Sequence, residues 1–312
     1  MVSLVHVLLR VSLTTLFPLR GCLLEVQDLM PSVPLDIERV GFRGVRRRVL
    51  LDTPHGLLVL DVYLSLYVDV PVNRRGVHLS RSVEVLYEVL SFEGRSRSLE
   101  EYLEGIASGL LDRHPYASRA WASARTTYYV DVEFEGLRGV EPVGVDVEVM
   151  LLRGGGRRWG VGVEVIGLTV CPSAQEAVAS RLGLDVASAP SHMQRVLLKG
   201  RVETSGSFVR IERVARALYK SLSAPSLTLL KRQHEAQLII SALRRPKLIE
   251  DVVREAVANI ALELSKLPDD TIIEVEAVSL ESIHPHDLYA YKRVTLGSVR
   301  SLVTSSPHPW EA

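Results

Sequence analysis

From residue 36 onward the chain alternates apolar and polar side chains over long stretches. Asp36–Leu51 sets valines and an isoleucine between arginines, and Leu57–Val70 reads LLVLDVYLSLYVDV. A period of two buries one face of a strand, so both stretches predict half-buried strands, and the TPHG segment between them predicts a hairpin. The spacing then changes. Ser80–Leu90 and Ser98–Leu111 carry apolar residues at helical intervals, and Ser98 with Glu101 three positions on predicts a capping box for the second helix. Ala120–Glu135 and Gly144–Leu152 return to alternation. The first half therefore predicts the order ββααββ.

Gly154–Arg158 (GGGRR) predicts a turn and a boundary between halves. Beyond it the order recurs without sequence identity. Strands are predicted at Trp159–Val170 and Arg195–Thr204, helices at Lys231–Leu243 and Leu248–Leu267 with Pro246 between them, and a strand at Thr271–Leu280. Strands in pairs and helices in pairs predict an α+β chain with antiparallel sheets, not a doubly wound parallel sheet. Neither GxGxxG nor a Walker loop occurs, so the sequence supports neither a dinucleotide fold nor a P-loop.

Composition narrows the partners. Lysine plus arginine equals aspartate plus glutamate, 37 each, and this balance argues against nucleic acid as the main partner. A local basic pocket for a phosphorylated metabolite is still compatible with it. The two cysteines, Cys22 and Cys171, form no CxxC or disulfide framework, so a reducing, cytoplasmic setting is expected. Val2–Leu23 is apolar, but Arg10, Pro18 and Arg20 interrupt it and no basic region precedes it. A dispensable flexible extension, or an upstream start that the cell does not use, is expected there, not an export signal or a membrane span.

Several residues could carry chemistry. Cys171 ends a predicted strand and is followed by Pro172 and SAQE, in which Ser173 and Glu176 have capping-box spacing. A thiol beside a helix N-terminus meets partial positive charge that favours the thiolate, the form that ligates metal or attacks; a buried inert cysteine is the competing reading. ESIHPHDLYAYKR (281–293) places Glu281, His284 and His286 just after a strand, with the two histidines on the same side of an extended chain, although a polar loop would look the same. In KRQHEAQLI (231–239), adjacent His234 and Glu235 lie about 100° apart on a helix, so one tight site does not easily use both. SHMQR (191–195) puts His192 in a loop. Glu250 in RPKLIEDVV opens a helix, where a carboxylate ordinarily compensates the dipole.

These phrases, together with GFRGVRRRV (41–49), RRGVHLSRSVE (74–84) and GVEVIGLTVCPSAQE (162–176), occur in an order that resembles the type IB GTP cyclohydrolase family, and more closely its archaeal, methanopterin-pathway branch. The resemblance runs from about Leu24 to Arg300. It implies the tandem tunnelling fold: two ββααββ modules, antiparallel sheets with helices on one face, assembled as an oligomeric barrel with sites between subunits. The expected division is 1–23 as an extension, 24–156 as the first module, and 157–312 as the second module with the site. It further implies Cys171, Glu235 and His284 as metal ligands, Glu281 and His192 as proton-transfer groups, and Glu250 as the anchor of the guanine edge. A carboxylate there accepts two N–H bonds, from the 2-amino group and N1. Many relatives carry a second cysteine two positions after the first; here that position is Ser173.

A thiolate, a carboxylate and an imidazole leave a coordination position open for water on a divalent metal. The metal expected is ferrous iron first, with zinc or manganese as alternatives. The expected reaction attacks C8 of GTP with water, opens the imidazole ring and releases formate. Its expected product is a dihydroneopterin phosphate, the 2′,3′-cyclic phosphate in the archaeal branch. Lys231, Arg232, Arg195 and the Arg74–Arg81 region are candidates for the phosphates. A homo-oligomer, a dimer or tetramer, is expected, with neither nucleic acid nor membrane as partner. Two alternatives differ in class: an NADPH-dependent nitrile reductase of the same fold with a nucleophilic cysteine, and a non-catalytic metal-binding oligomer.

Overall fold

The computed structural model describes residues 25–53, 56–91 and 96–305; the extension, with Cys22, lies outside them. Within the first half the strands and helices follow the predicted order: β1 (Ile37–Thr53), β2 (Gly56–Val70), α1 (Leu79–Ser91), α2 (Leu99–Arg113), β3 (Arg119–Phe134) and β4 (Leu137–Leu152). The second half has β5 (Arg157–Val170), α3 (Pro172–Leu182), β6 (Met193–Thr204), α4 (Ile211–Lys220), the two-residue β7 (Ala224–Pro225), α5 (Arg232–Leu243), α6 (Ile249–Glu263), β8 (Ile272–Leu280), β9 (Leu288–Thr295) and α7 (Leu296–Ser305).

All strands join one antiparallel sheet in the order β1-β2-β3-β4-β5-β6-β8-β9, with β7 attached to β5. Alternation sets its two faces. In one row across the sheet, Val45, Leu64, Ala124, Val147, Val161, Val202, Ile273 and Val294 are successive cross-strand partners, and six of them are fully buried. Helices α1, α2, α4, α6 and α7 cover this face and share one continuous core with it. The adjacent row faces the other way and reads Arg46, Tyr63, Arg125, Asp146, Gly162, Arg201, Glu274 and Arg293. There Arg201 pairs with Asp146 and Glu203, Lys199 with Asp146 at 3.4 Å, Arg39 with Glu148 at 2.9 Å, and Arg293 with Glu274 at 2.6 Å. Arg201 crosses β5 over two glycines. A Cβ at Gly162 would stand 2.3 Å from Asp146 Oδ1, and one at Gly160 would stand 2.6 Å from Arg201 Nη2.

Four features depart from the sequence reading. β4 begins at Leu137, not Gly144, running through Pro142; β5 pairs with β4 only from Gly144 onward, so that stretch of β4 needs no amide hydrogen on the β5 side. The tight turn before it uses Glu135 and Gly136, both at positive φ, as a two-residue hairpin requires. The helical layer of the second half is α4 with α6, not the two helices expected; α4 buries Ile211, Val214, Ala215 and Leu218, and α5 instead sits at the strand end over a small cluster of Leu137, Val170, Ala224, Leu238 and Ala242. Finally, β9 and α7 were not anticipated. The Ser98 cap is as expected, with its hydroxyl accepting from Glu101 N at 3.2 Å, but the Glu101 carboxylate accepts from Arg97 N at 2.7 Å. Among the described residues no helix is long and apolar enough to cross a membrane.

Two buried groups make stability depend on pH in opposite senses. Glu100, in the first turn of α2, is 4% exposed and its Oε1 has no partner, so burial pushes its carboxyl up to about 7. His114 is fully buried between the Ser82 and Tyr116 hydroxyls, 3.0 Å from each. Burial, aided by the charges of Arg81, His78 and Arg74, lowers it to about 4. Glu100 is raised in the fold, so its contribution is present below its unfolded pKa and lost as pH climbs through 7. His114 is depressed, so its contribution is present above its unfolded pKa of 6.5 and lost as pH falls towards 4. Glu100→Gln should therefore stabilise the chain at pH 8 by on the order of 1–3 kcal/mol and much less at pH 5. Urea unfolding across pH 5–9 reads this, and a gain independent of pH would count against the account.

Candidate functional site

The site residues gather at one end of the sheet. Val170 closes β5, and Cys171 caps α3 with Pro172 at the first helical position. Its Sγ accepts from Ala174 N at 3.4 Å. The expected Ser173–Glu176 box is thus replaced by a cap two residues earlier, which places the thiol itself at the positive end of the helix. Cys171 is half-buried. The backbone joins it directly to the second predicted segment: Cys171 N donates to His192 O at 3.3 Å, and the Ser191 hydroxyl donates to Cys171 O at 2.7 Å.

The third segment arrives by strand register. Arg195 of β6 is the cross-strand partner of Leu280, the last residue of β8, so Glu281 emerges beside it. Glu281 Oε1 accepts from the buried Ser279 hydroxyl at 2.8 Å. Ser282 Oγ lies 3.2 Å from His192 Nδ1, which leaves Nε2 of that ring for a proton partner. His284 and His286 stack with ring centroids 5.3 Å apart, on the same side of the chain as the sequence suggested, and both are exposed.

Helix α5 supplies the fourth segment. Lys231 is its N-cap, Arg232 its first residue, and Glu235 lies in its first turn; all three are exposed. The loop entering α5 is pinned from β4. Buried Glu141 accepts from Thr228 N at 2.8 Å and from the Thr228 hydroxyl at 2.6 Å. The far side of α5 is held by the β3–β4 turn, where Glu135 O accepts from Gln237 and the Glu135 carboxylate pairs with Arg245. Glu250 lies exposed in the first turn of α6. The stretch before it is fixed by Lys247, whose N donates to Val170 O at 2.9 Å and whose ammonium pairs with Glu255. Burial raises the Glu255 carboxyl, and Lys247 pulls it back. Glu141, Lys247 and Glu255 are supporting residues that the sequence reading missed; no local pattern marks a side chain whose partner lies on another segment.

The donor types of Cys171, Glu235 and His284 suit a borderline divalent metal such as zinc or iron. In the single chain their ligand atoms do not form a group lying within 4.8 Å of one another; among the described residues, Glu25, Asp28 and His78 do. That trio already has its countercharge. Arg74 pairs with the same Asp28 oxygen that faces His78 Nε2 and stacks over Tyr116, and Arg81 lies 3.9 Å from Glu25. Two arginines opposite two carboxylates make an ion-pair clasp between residues 25–28 and the start of α1. Arg74, a phosphate candidate in the sequence, is thus ion-paired to Asp28 in the single chain. A cavity of about 880 Å³ near the β3–β4 turn is lined by Phe134, Arg138, Arg216 and Arg245 and contains none of the predicted site residues.

An antiparallel sheet backed by helices on one face, with acid, base and thiol groups at one strand end, defines a tunnelling-fold chain. Among solved structures, uricase from Arthrobacter globiformis aligns over 88% of this chain and 98% of its own length, with a TM-score of 0.52 and 9% sequence identity, which speaks to the fold alone. A family model of type I GTP cyclohydrolase folE2 matches residues 23–290. "GTP cyclohydrolase MptA" of Aeropyrum pernix is 54% identical over 91% of this chain and all of that protein; that of Methanothermobacter thermautotrophicus is 33% identical over 89% and 95%. The chain belongs to the type I GTP cyclohydrolase family.

If the Glu25–Asp28–His78 clasp is an ion-pair lock, His78→Ala should lower the thermal midpoint and leave bound metal unchanged after loading with iron, zinc or manganese. Loss of one metal equivalent by atomic absorption would instead make the clasp a metal site.

Proposed function

We propose that this GTP cyclohydrolase opens the guanine imidazole ring of GTP at C8 with water, releases formate and forms a dihydroneopterin phosphate. The 2′,3′-cyclic phosphate is the product we favour, formed when the neighbouring hydroxyl of the pterin side chain attacks the α-phosphorus and diphosphate leaves, at the entry to tetrahydromethanopterin or another pterin. The family makes the chain a GTP cyclohydrolase. The observation that carries the finer reading is the hydrogen-bonded path from Cys171 to His192 to Ser282, which joins three separate motifs at one strand end.

Cys171, Glu235 and His284 would hold a divalent metal, with ferrous iron favoured over zinc or manganese. When bound, it supplies a Lewis acid that activates water. The chain's own groups do the rest. Glu250 accepts the 2-amino and N1 hydrogens of guanine and thereby selects the purine. Glu281, steadied by Ser279, and His192, steadied by Ser282, would take a proton from the attacking water and give one to the departing nitrogen, a contribution of roughly a hundred- to ten-thousandfold for well-placed groups. Lys231, Arg232 and Arg195 are exposed to solvent and would meet the phosphates. Glu235, Glu250 and His284 are exposed too, which supports a site completed by a second copy. The chain then acts as two modules, 24–156 and 157–312, whose polar sheet face lines an oligomeric barrel.

Anaerobic incubation with GTP and ferrous iron should release formate and yield a pterin that fluoresces after oxidation. No formate with iron, zinc or manganese would refute the reading. Cys171→Ala should abolish both turnover and metal binding. Glu281→Ala should lower kcat at least a hundredfold while the metal stays bound; metal loss in that variant would make Glu281 a ligand and overturn its assigned role.

A further inference from the structure

Gln175 carries no role so far, yet it is the side chain on which three site segments meet. It lies four residues past Cys171 on α3, is 1% exposed, and its backbone N donates to Cys171 O at 3.1 Å. Its side-chain Nε2 donates twice: to Ala189 O at 3.1 Å and to Leu243 O at 2.9 Å. Ala189 belongs to the loop that delivers His192. Leu243 is the last residue of α5, the helix whose first turn holds Glu235. The orientation of the amide is dictated by these partners. Both are carbonyl oxygens, so turning the amide over would set oxygen against oxygen twice.

The arrangement has an unusual cost. Gln175 Oε1 is buried without a hydrogen-bond partner. A buried acceptor left unpaired is unfavourable, and an apolar side chain of the same size would avoid it. What an apolar side chain cannot do is bind two carbonyls from two different segments. Glu250 is anchored separately, through Lys247 N to Val170 O and through the Lys247–Glu255 pair.

We propose that Gln175 is a positioning residue for the reaction: its amide fixes the spacing of Cys171, His192 and Glu235 and leaves the guanine anchor untouched. This rests on the functional reading above. Gln175→Met keeps the volume and removes both donors. Gln175→Glu keeps the shape and sets an acceptor against each carbonyl. Gln175→Lys returns N–H donors on a side chain of similar reach.

Each variant is assayed well below its own melting midpoint, per folded molecule. Gln175→Met and Gln175→Glu should lower kcat at least tenfold, with KM for GTP within threefold of wild type. Metal affinity, read by competition with a chelator, should fall at least tenfold. In metal-free protein the alkylation rate of Cys171, followed by peptide mass spectrometry, should change at least threefold. Gln175→Lys should restore most of kcat and of metal affinity. A fall in melting midpoint with kcat, metal affinity and Cys171 alkylation unchanged would reduce Gln175 to a packing residue and overturn the proposal. Failure of Gln175→Lys to recover, with Met and Glu variants folded and impaired, would also overturn it, since donors would then not be what matters. If Met and Glu variants do not fold, recovery of folding and turnover by Gln175→Lys supports the donor role and its absence refutes it. Wild-type enzyme that releases no formate refutes the functional reading and takes this inference with it, whereas active wild type with unchanged variants refutes this inference alone.

Discussion

The structure depends on keeping two adjacent rows of a wide sheet chemically opposite. One row is apolar from β1 to β9 and supplies the core; its neighbour is charged on all of the same strands but β2 and β5. Because strand side chains alternate strictly, a slip of one residue in any pairing would carry charges into the core and valines out of it. That constraint fixes register over the whole sheet. Register in turn decides what stands at the strand ends. Arg195 meets Leu280, and Cys171 follows Val170, because the valines within β5, β6 and β8 leave them no other alignment.

The two halves solve the same packing problem and differ in what they attach to it. The first half spends its helices on covering the sheet. The second covers its sheet with α4 and α6 and adds α3 and α5 at the strand end. Those additions and the loops around them are then held by single polar groups: Glu141 of β4 to Thr228, Lys247 to Glu255 of α6, and Gln175 to one carbonyl in the loop before β6 and one on α5. Each is a polar group removed from water and committed to a partner on another segment. Loop geometry can be held in this way without adding apolar surface where a charged substrate must approach.

Strands and most helices were legible because period two and period 3.6 are local properties of a sequence. β2 shows this best, with every second residue from Leu60 to Val70 buried. Helix α4 has a comparable apolar spacing, but it is short and follows a polar turn. β9 was hidden because its sequence, LYAYKRVT, sits at a sheet edge and stays largely exposed. Pro142 and its neighbouring glycines masked the start of β4, since tolerance of proline depends on which neighbour the strand lacks. For the site, the order of motifs named the residues, and the cap at Cys171 could be read to within two positions. The path from Cys171 through His192 to Ser282 could not, because it exists only once β5, β6 and β8 are in register.

Helix α5 packs through Leu238 and Ala242 on Leu137, Val170 and Ala224, a small cluster apart from the main core. Most of its residues face solvent, and its links to the rest are few: the clasp at Glu135, the pinned loop at Thr228 and the amide at Leu243. Local opening free energies follow local burial, so this helix would detach in a sub-global fluctuation far cheaper than unfolding the sheet. Its amides would exchange with deuterium well before those of β5 and β6. The same looseness would give the rim of the site a way to part and let a bulky pterin leave, while the sheet behind it stays intact.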